Sequence, residues 1–303
     1  MTKEPLRIFT FDTQFLNVQH VIGSYLIPSS DGLILIETGP STVYDALIKE
    51  IRDAGYAPED VRHVFLTHIH FDHAGGAWKF AALGAKIYVH PIGLPHLQNP
   101  ERLWGSAKRI YGDAMEELWG DMQPIAAEQL VAVDDGDVTE VGGVTIRTHY
   151  TPGHAVHHNA YQIDDVVFTG DVAGVRIENG PVIPPCPPPD IDIELWKKSI
   201  QLLRDLQPTR LYLTHFGDIQ DVEAHLNALE TALDDAAAWM KPQYDAGRSV
   251  ADITPEFVEY SRDRLRKAGV SEAQIDRNEK ANPSYMSVAG LMRYWKLKEQ
   301  GRL

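Results

Sequence analysis

Six residues constrain this chain more than any other stretch: His68-Ile69-His70-Phe71-Asp72-His73. They follow His63–Thr67, an apolar run that reads as a strand. Imidazole and carboxylate are borderline to hard donors that suit zinc, iron or manganese. Such a set, in a loop just past a strand, can wrap two adjacent cations. Taken alone, the hexad could also be a solvated His-rich loop.

The rest of the chain offers more donors at strand ends. Thr151-Pro152-Gly153-His154 follows the strand ending at Tyr150. Thr169-Gly170-Asp171 ends the strand Val166–Phe168, and Thr214-His215 ends the strand Arg210–Leu213. Each is a weak signal by itself. Together they put every donor at a strand's C-terminal end, where open α/β sheets place their ligands.

At 303 residues and 44% hydrophobic, the chain is long enough for one large domain with an appendage. Its first two thirds read as strands with intervening helices. Strands are expected at Leu6–Phe11, Val21–Ile27, Leu33–Glu37, Lys86–His90, Leu130–Val133, Val144–Tyr150 and Asn159–Ile163. Ser41 can cap a helix running to about Ala54, and Ala74–Leu83 and Asp192–Leu206 also read as helices. Residues 91 to about 128 read as a helical insertion, with Trp104, Tyr111, Met115, Leu118 and Trp119 at helical spacing. Those positions suit either core packing or a lid.

Pro181–Pro189 holds six prolines in nine residues. Such a run is stiff and extended and cannot pair as a central strand. It is expected over the surface or along the rim of a site. After His215 and Gly217 no strand pattern remains, and Asp221–Tyr244, Pro255–Ala268, Ser271–Lys280 and Ser284–Glu299 read as helices. The expected division is a catalytic domain over 1–220 and a helical region over 221–303, the latter able to carry a homodimer contact.

A net charge of −15 repels phosphate backbones, so nucleic acid is an unfavoured partner. The basic residues of 101–110 and 262–267 are mixed with acids and read as solvated helix faces. One cysteine, Cys186, excludes an intramolecular disulfide and a thiolate metal cluster. No apolar signal core opens the chain and no run approaches 18 apolar residues. The expectation is a cytoplasmic protein with no membrane partner.

The order His68-x-His70-x-Asp72-His73, Thr151-Pro152-Gly153-His154, Gly170-Asp171 and His215 resembles the metal-ligand series of the metallo-β-lactamase superfamily. It looks most like the branch with glyoxalase II, lactonases, thioesterases and transfer-RNA processing nucleases. The resemblance covers about residues 6–217 and is specific for the superfamily, not for a substrate. It implies an α/β fold, a four-layer αββα sandwich, here with a C-terminal helical extension. It also implies two divalent cations, Zn²⁺ first, with Fe or Mn as alternatives. His68, His70 and His154 would hold metal 1, Asp72, His73 and His215 metal 2, and Asp171 would bridge them.

The implied reaction is hydrolysis of a small-molecule thioester or lactone by a hydroxide held between the cations. Asp72 would orient it through its free oxygen. His157, His158 and Tyr111 are candidate substrate contacts. The alternatives are a phosphodiesterase or ribonuclease of the same superfamily, a di-iron redox protein, or a regulatory ligand-binding module. The flavodiiron branch carries Glu where His70 stands. Thr214-His215-Phe216-Gly217 departs from the Gly-His-Gly of many members, so subgroup assignment stays open.

Overall fold

A computed structural model describes residues 6–303, so the first five residues of the expected catalytic domain lie outside the described residues. The fold is α/β, with two mixed sheets flanked by helices. The described chain divides into two compact units, residues 6–150 with 159–164 and residues 151–158 with 165–303.

In the first unit, strands β1 (Phe9–Asp12), β2 (Gly23–Ser29), β3 (Gly32–Ile36), β4 (Val61–Phe65), β5 (Lys86–Val89) and β6 (Leu130–Ala132) lie side by side in that order. The first three pair antiparallel and the last three join in parallel. Ser29-Ser30-Asp31-Gly32 turns the β2–β3 hairpin, with Ser29 opposite Gly32. Strands β7 (Val138–Val141), β8 (Val144–Tyr150) and β9 (Asn159–Ile163) form an antiparallel meander.

Helices α1 (Tyr44–Asp53), α2 (Phe71–Ala74), α3 (Ala77–Ala82), α4 (Leu94–Gln98), α5 (Glu101–Tyr111) and α6 (Met115–Trp119) complete the unit. Leu47 and Ile51 of α1 and Phe80 of α3 bury against Leu35, Val64 and Ile87 of the sheet. The expected helix over Ala74–Leu83 breaks into α2 and α3 at Gly75-Gly76, where the Gly76 amide donates to the Gly39 carbonyl instead of continuing a helical ladder.

In the second unit, β10 (Val166–Gly170) and β11 (Arg210–Leu213) pair in parallel, and β12 (Gly217–Ile219) adds antiparallel to β11. Helices α7 (Ile193–Asp205), α8 (Val222–Asp245), α9 (Val250–Lys267), α10 (Glu272–Ala281) and α11 (Ser284–Glu299) make up the rest. α11 packs on α8 and α9, and α7 packs on α8. Trp196, Leu229, Leu233, Val288 and Leu291 are fully buried there.

Three expectations need correction. A short strand, β12, does follow His215, because three residues with Gly and Asp carry no readable pattern. α9 begins at Val250, not Pro255, since Ser249 caps it by accepting from the Asp252 amide at 3.2 Å. The proline run does not stay on the surface: Pro189 is exposed, but Pro184, Pro185 and Cys186 are buried, and burial pushes the Cys186 thiol well above its ordinary pKa. Among the described residues no helix is long and apolar enough to cross a membrane.

Candidate functional site

The first donor set stands where β4 ends. His68 is fully buried, and its Nδ1 lies 3.0 Å from Thr67 Oγ1. Its Nε2 lies 2.9 Å from Nδ1 of His70, so two imidazole nitrogens face one another at hydrogen-bond distance. Asp72 and His73 sit on α2, one short turn of helix. The His73 ring is tilted 48° to that of His68, with centroids 3.9 Å apart. Its Nε2 is 3.8 Å from the Asp72 carboxylate and its Nδ1 is 3.4 Å from that of Glu37.

Glu37 is a functional residue that the sequence reading missed. It is 1% exposed, in a left-handed backbone conformation (φ 64°), and its other oxygen accepts from the Thr67 amide at 3.0 Å. It therefore holds both the entry of the hexad and its last histidine. A carboxylate behind a metal-ligating imidazole fixes the ring and raises its basicity. The available signal was an acid closing the apolar run Leu33–Ile36.

The second donor set comes from three separate strand ends. His154 follows Gly153, whose φ is 128° and where a Cβ would lie 2.3 Å from the Trp196 backbone. Only glycine lets this loop lie against α7. Nδ1 of His154 donates to the Pro185 carbonyl at 2.9 Å. A carbonyl can only accept, so this bond fixes the tautomer, with the proton on Nδ1 and the lone pair on Nε2.

Asp171 stands between two imidazoles. One oxygen is 3.4 Å from His154 Nε2 and the other 3.5 Å from His215 Nε2. The backbone around it is pinned carbonyl by carbonyl. Asp171 O accepts from the Gly174 amide (2.9 Å), Val172 O from Trp196 Nε1 (2.7 Å) and Ala173 O from His225 Nε2 (2.8 Å). His215 O accepts from the Arg176 amide at 2.6 Å.

His158 is fully buried. Its Nε2 accepts from the Asp171 amide at 3.2 Å, so its proton is on Nδ1, which donates to Thr151 Oγ1 at 2.8 Å. It thereby holds the backbone of Asp171, the residue whose carboxylate stands between the two imidazoles. His157 is 7% exposed. Tyr111 lies in the first unit, edge-on to Trp119 with ring centroids 5.2 Å apart. Trp119 also stacks on Phe15 (5.7 Å) and lies 6.0 Å from Phe71, the residue between His70 and Asp72. Trp104 meets Phe71 edge-on at 5.7 Å. The 91–128 segment thus contributes Trp104, Tyr111 and Trp119 to an aromatic cluster that includes Phe71 of the hexad.

The sequence profile of the metallo-beta-lactamase superfamily matches residues 21–215, more than half of the chain and all seven donors. The chain belongs to the metallo-β-lactamase superfamily. A metallo-beta-lactamase fold-containing protein of Sulfurisphaera tokodaii is 31% identical over 55% of this chain and 66% of its own length. A hydroxyacylglutathione hydrolase of Maricaulis maris is 30% identical over 56% of this chain and 53% of its own. The chain thus spans about half to two thirds of these relatives. A metallo-beta-lactamase family protein of Thermus thermophilus shares the fold over 99% of this chain and 95% of its own, with a TM-score of 0.72 at 21% identity. The fold likeness to that protein takes in the C-terminal helices as well as the sandwich.

The three arginines of 262–267 pair with neighbouring carboxylates. Arg262 pairs with Glu272 and Asp276, Arg264 with Asp235, and Arg266 with Glu259, Asp263 and Glu272. Bonds from Arg266 and Arg262 hold the Glu272 carboxyl down to about 2.

Proposed function

We propose that this chain is a divalent-metal-dependent hydrolase acting on an ester-like carbonyl, a thioester or lactone, of a small molecule with an apolar portion. The observation that carries the reading is Asp171, with one carboxylate oxygen toward His154 and the other toward His215. A carboxylate so placed suits a ligand that bridges two cations, the role its superfamily position implies. The donors fit such cations: imidazoles and carboxylates, mostly buried, with ring nitrogens held by backbone and hydroxyl partners.

His68, His70 and His154 would hold one cation, and Asp72, His73 and His215 the other, with Asp171 between. Bound there, divalent cations supply Lewis acidity and lower the pKa of water toward about 7. Among the carboxylates of this set, Asp72 is the more open, with its side chain 22% exposed against 5% for Asp171. It is the group able to accept a proton from the attacking water and orient it. Glu37 keeps His73 in place, and His158 keeps Asp171 in place. Phe15, Phe71, Trp104, Tyr111 and Trp119 supply an apolar wall beside the hexad for the part of the substrate that does not react. The hydroxyacylglutathione hydrolase among the relatives supports the substrate class. The acidic surface and the paired arginines of 262–267 weigh against a phosphodiester.

The test is hydrolysis of a panel of thioesters, lactones and phosphodiesters by the metal-loaded protein. Turnover of a thioester or lactone, falling about a thousandfold in Asp171→Ala, is expected. Cleavage of phosphodiesters alone, or of nothing, would contradict the reading.

A further inference from the structure

The proline run 181–189 is the partner that fixes His154, and proline lacks the N–H that would tie a strand to a sheet. At its start, Val175 and Ile183 exchange two backbone bonds, of 2.9 and 2.8 Å. Beyond that, its carbonyls and the Cys186 amide are the handles left, and α10–α11 grips them. Asn282 Nδ2 donates to the Pro184 carbonyl at 3.3 Å, and the Cys186 amide donates to Ser287 Oγ at 3.4 Å. Ser287 in turn donates to Asn282 Oδ1, also at 3.3 Å. Further along, Arg293 Nε donates to the Pro189 carbonyl at 2.8 Å.

The closest approach is at Gly290 of α11. A Cβ there would fall 1.9 Å from the Cys186 carbonyl oxygen and 2.9 Å from the Pro187 carbonyl carbon. The helix axis and the proline run are in backbone contact, one residue past the Pro185 carbonyl that accepts from His154.

We propose that Gly290, with Asn282 and Ser287, is a positioning element for His154. It acts through the proline run, so the C-terminal helix belongs to the metal-holding apparatus and is not an appendage to it. This rests on the reading of His154 as a metal ligand. Alanine at 290 favours the helix itself, being the better helix former. Any loss therefore comes from displacing the Cys186 carbonyl, and with it that of Pro185, away from Nδ1. Replacing a partner behind a ligating imidazole lowers metal affinity about ten- to a hundredfold.

The experiment titrates the full-length metal-free protein with Co²⁺, reading the visible absorption bands and competing with a chromophoric chelator. Wild-type protein binds cobalt. Gly290→Ala, folded by circular dichroism, binds the His154-dependent ion about ten- to a hundredfold more weakly with altered bands. Gly290→Ala added to His154→Ala weakens binding no further, since the two changes act on one contact. If Gly290→Ala does not fold, Ser287→Ala carries the test, with the same direction and recovery in Ser287→Thr. Wild-type protein that takes up no cobalt would overturn the metal reading itself. Wild-type binding that both variants reproduce, in affinity and spectrum, would overturn this inference and leave the metal reading standing.

Discussion

The two donor sets are built in opposite ways. The hexad His68–His73 places four donors on one loop and one turn of helix, so chain connectivity alone keeps them close. Its support is also compact: Thr67 next door and the carboxylate of Glu37. His154, Asp171 and His215 come from three strand ends. They depend on groups far off in the chain: α7 through Trp196, α8 through His225, and the proline run through Pro185. A contiguous set gets its proximity from covalent structure, whereas a dispersed set gets it from tertiary packing. Damage to the packing should therefore reach the second set first.

Trp196→Ala is the harshest way to test that difference. The indole is fully buried, donates to Val172 O and lies edge-on to the His154 ring at 5.5 Å. Its loss should cost about 3–5 kcal/mol of stability, read from denaturant unfolding. Metal binding that depends on His154 should weaken even at low temperature, where the variant stays folded. Unimpaired His154-dependent binding would remove the contrast between the sets.

A pH series probes α8 next. His225 is 2% exposed, and burial pushes its pKa from the ordinary 6.5 down to about 4. The folded chain thus resists a proton that the unfolded chain accepts. Stability should be whole above about pH 6.5 and fall as the pH drops toward 4, by about 3 kcal/mol in all. His225→Gln should flatten that part of the curve measured by urea unfolding. An unchanged slope would mean another group titrates there.

The smallest effect is expected at the arginine network of α9–α10. Its partners hold the Arg266 guanidinium charged well beyond its ordinary range, yet the group is on the surface. Exposed pairs exchange one set of hydrated charges for another and are screened by salt. Arg266→Ala should leave the unfolding midpoint and the metal affinity unchanged within error at physiological salt. A large loss would show that the helical region depends on its surface charges more than on the burial of Trp196 and its neighbours.

What the sequence made legible follows the same division. The hexad stood out because four donors adjoin one another, and the other three because each closes an apolar run with a Thr-containing signature. Glu37 was hidden because it reads as a strand's last residue until its distance to His73 is known. The supports of the second set were hidden for a deeper reason. A buried Trp, a lone His and a glycine inside a helix look like packing, and only tertiary contacts show that Trp196 holds Val172, His225 holds Ala173, and Gly290 touches Cys186. Strands β7 and β12 escaped because a short edge segment, half exposed, has too few buried positions to set a period.

Elemental mass spectrometry on protein reconstituted with Zn²⁺ and desalted tests the central claim most directly, comparing wild type with His70→Ala and His154→Ala. Both donor sets serving bound cations predicts about two zinc ions per wild-type chain and a loss of zinc in each variant, one set no more dispensable than the other. No bound zinc in the wild type, or a His154→Ala chain that keeps its full complement, would contradict it.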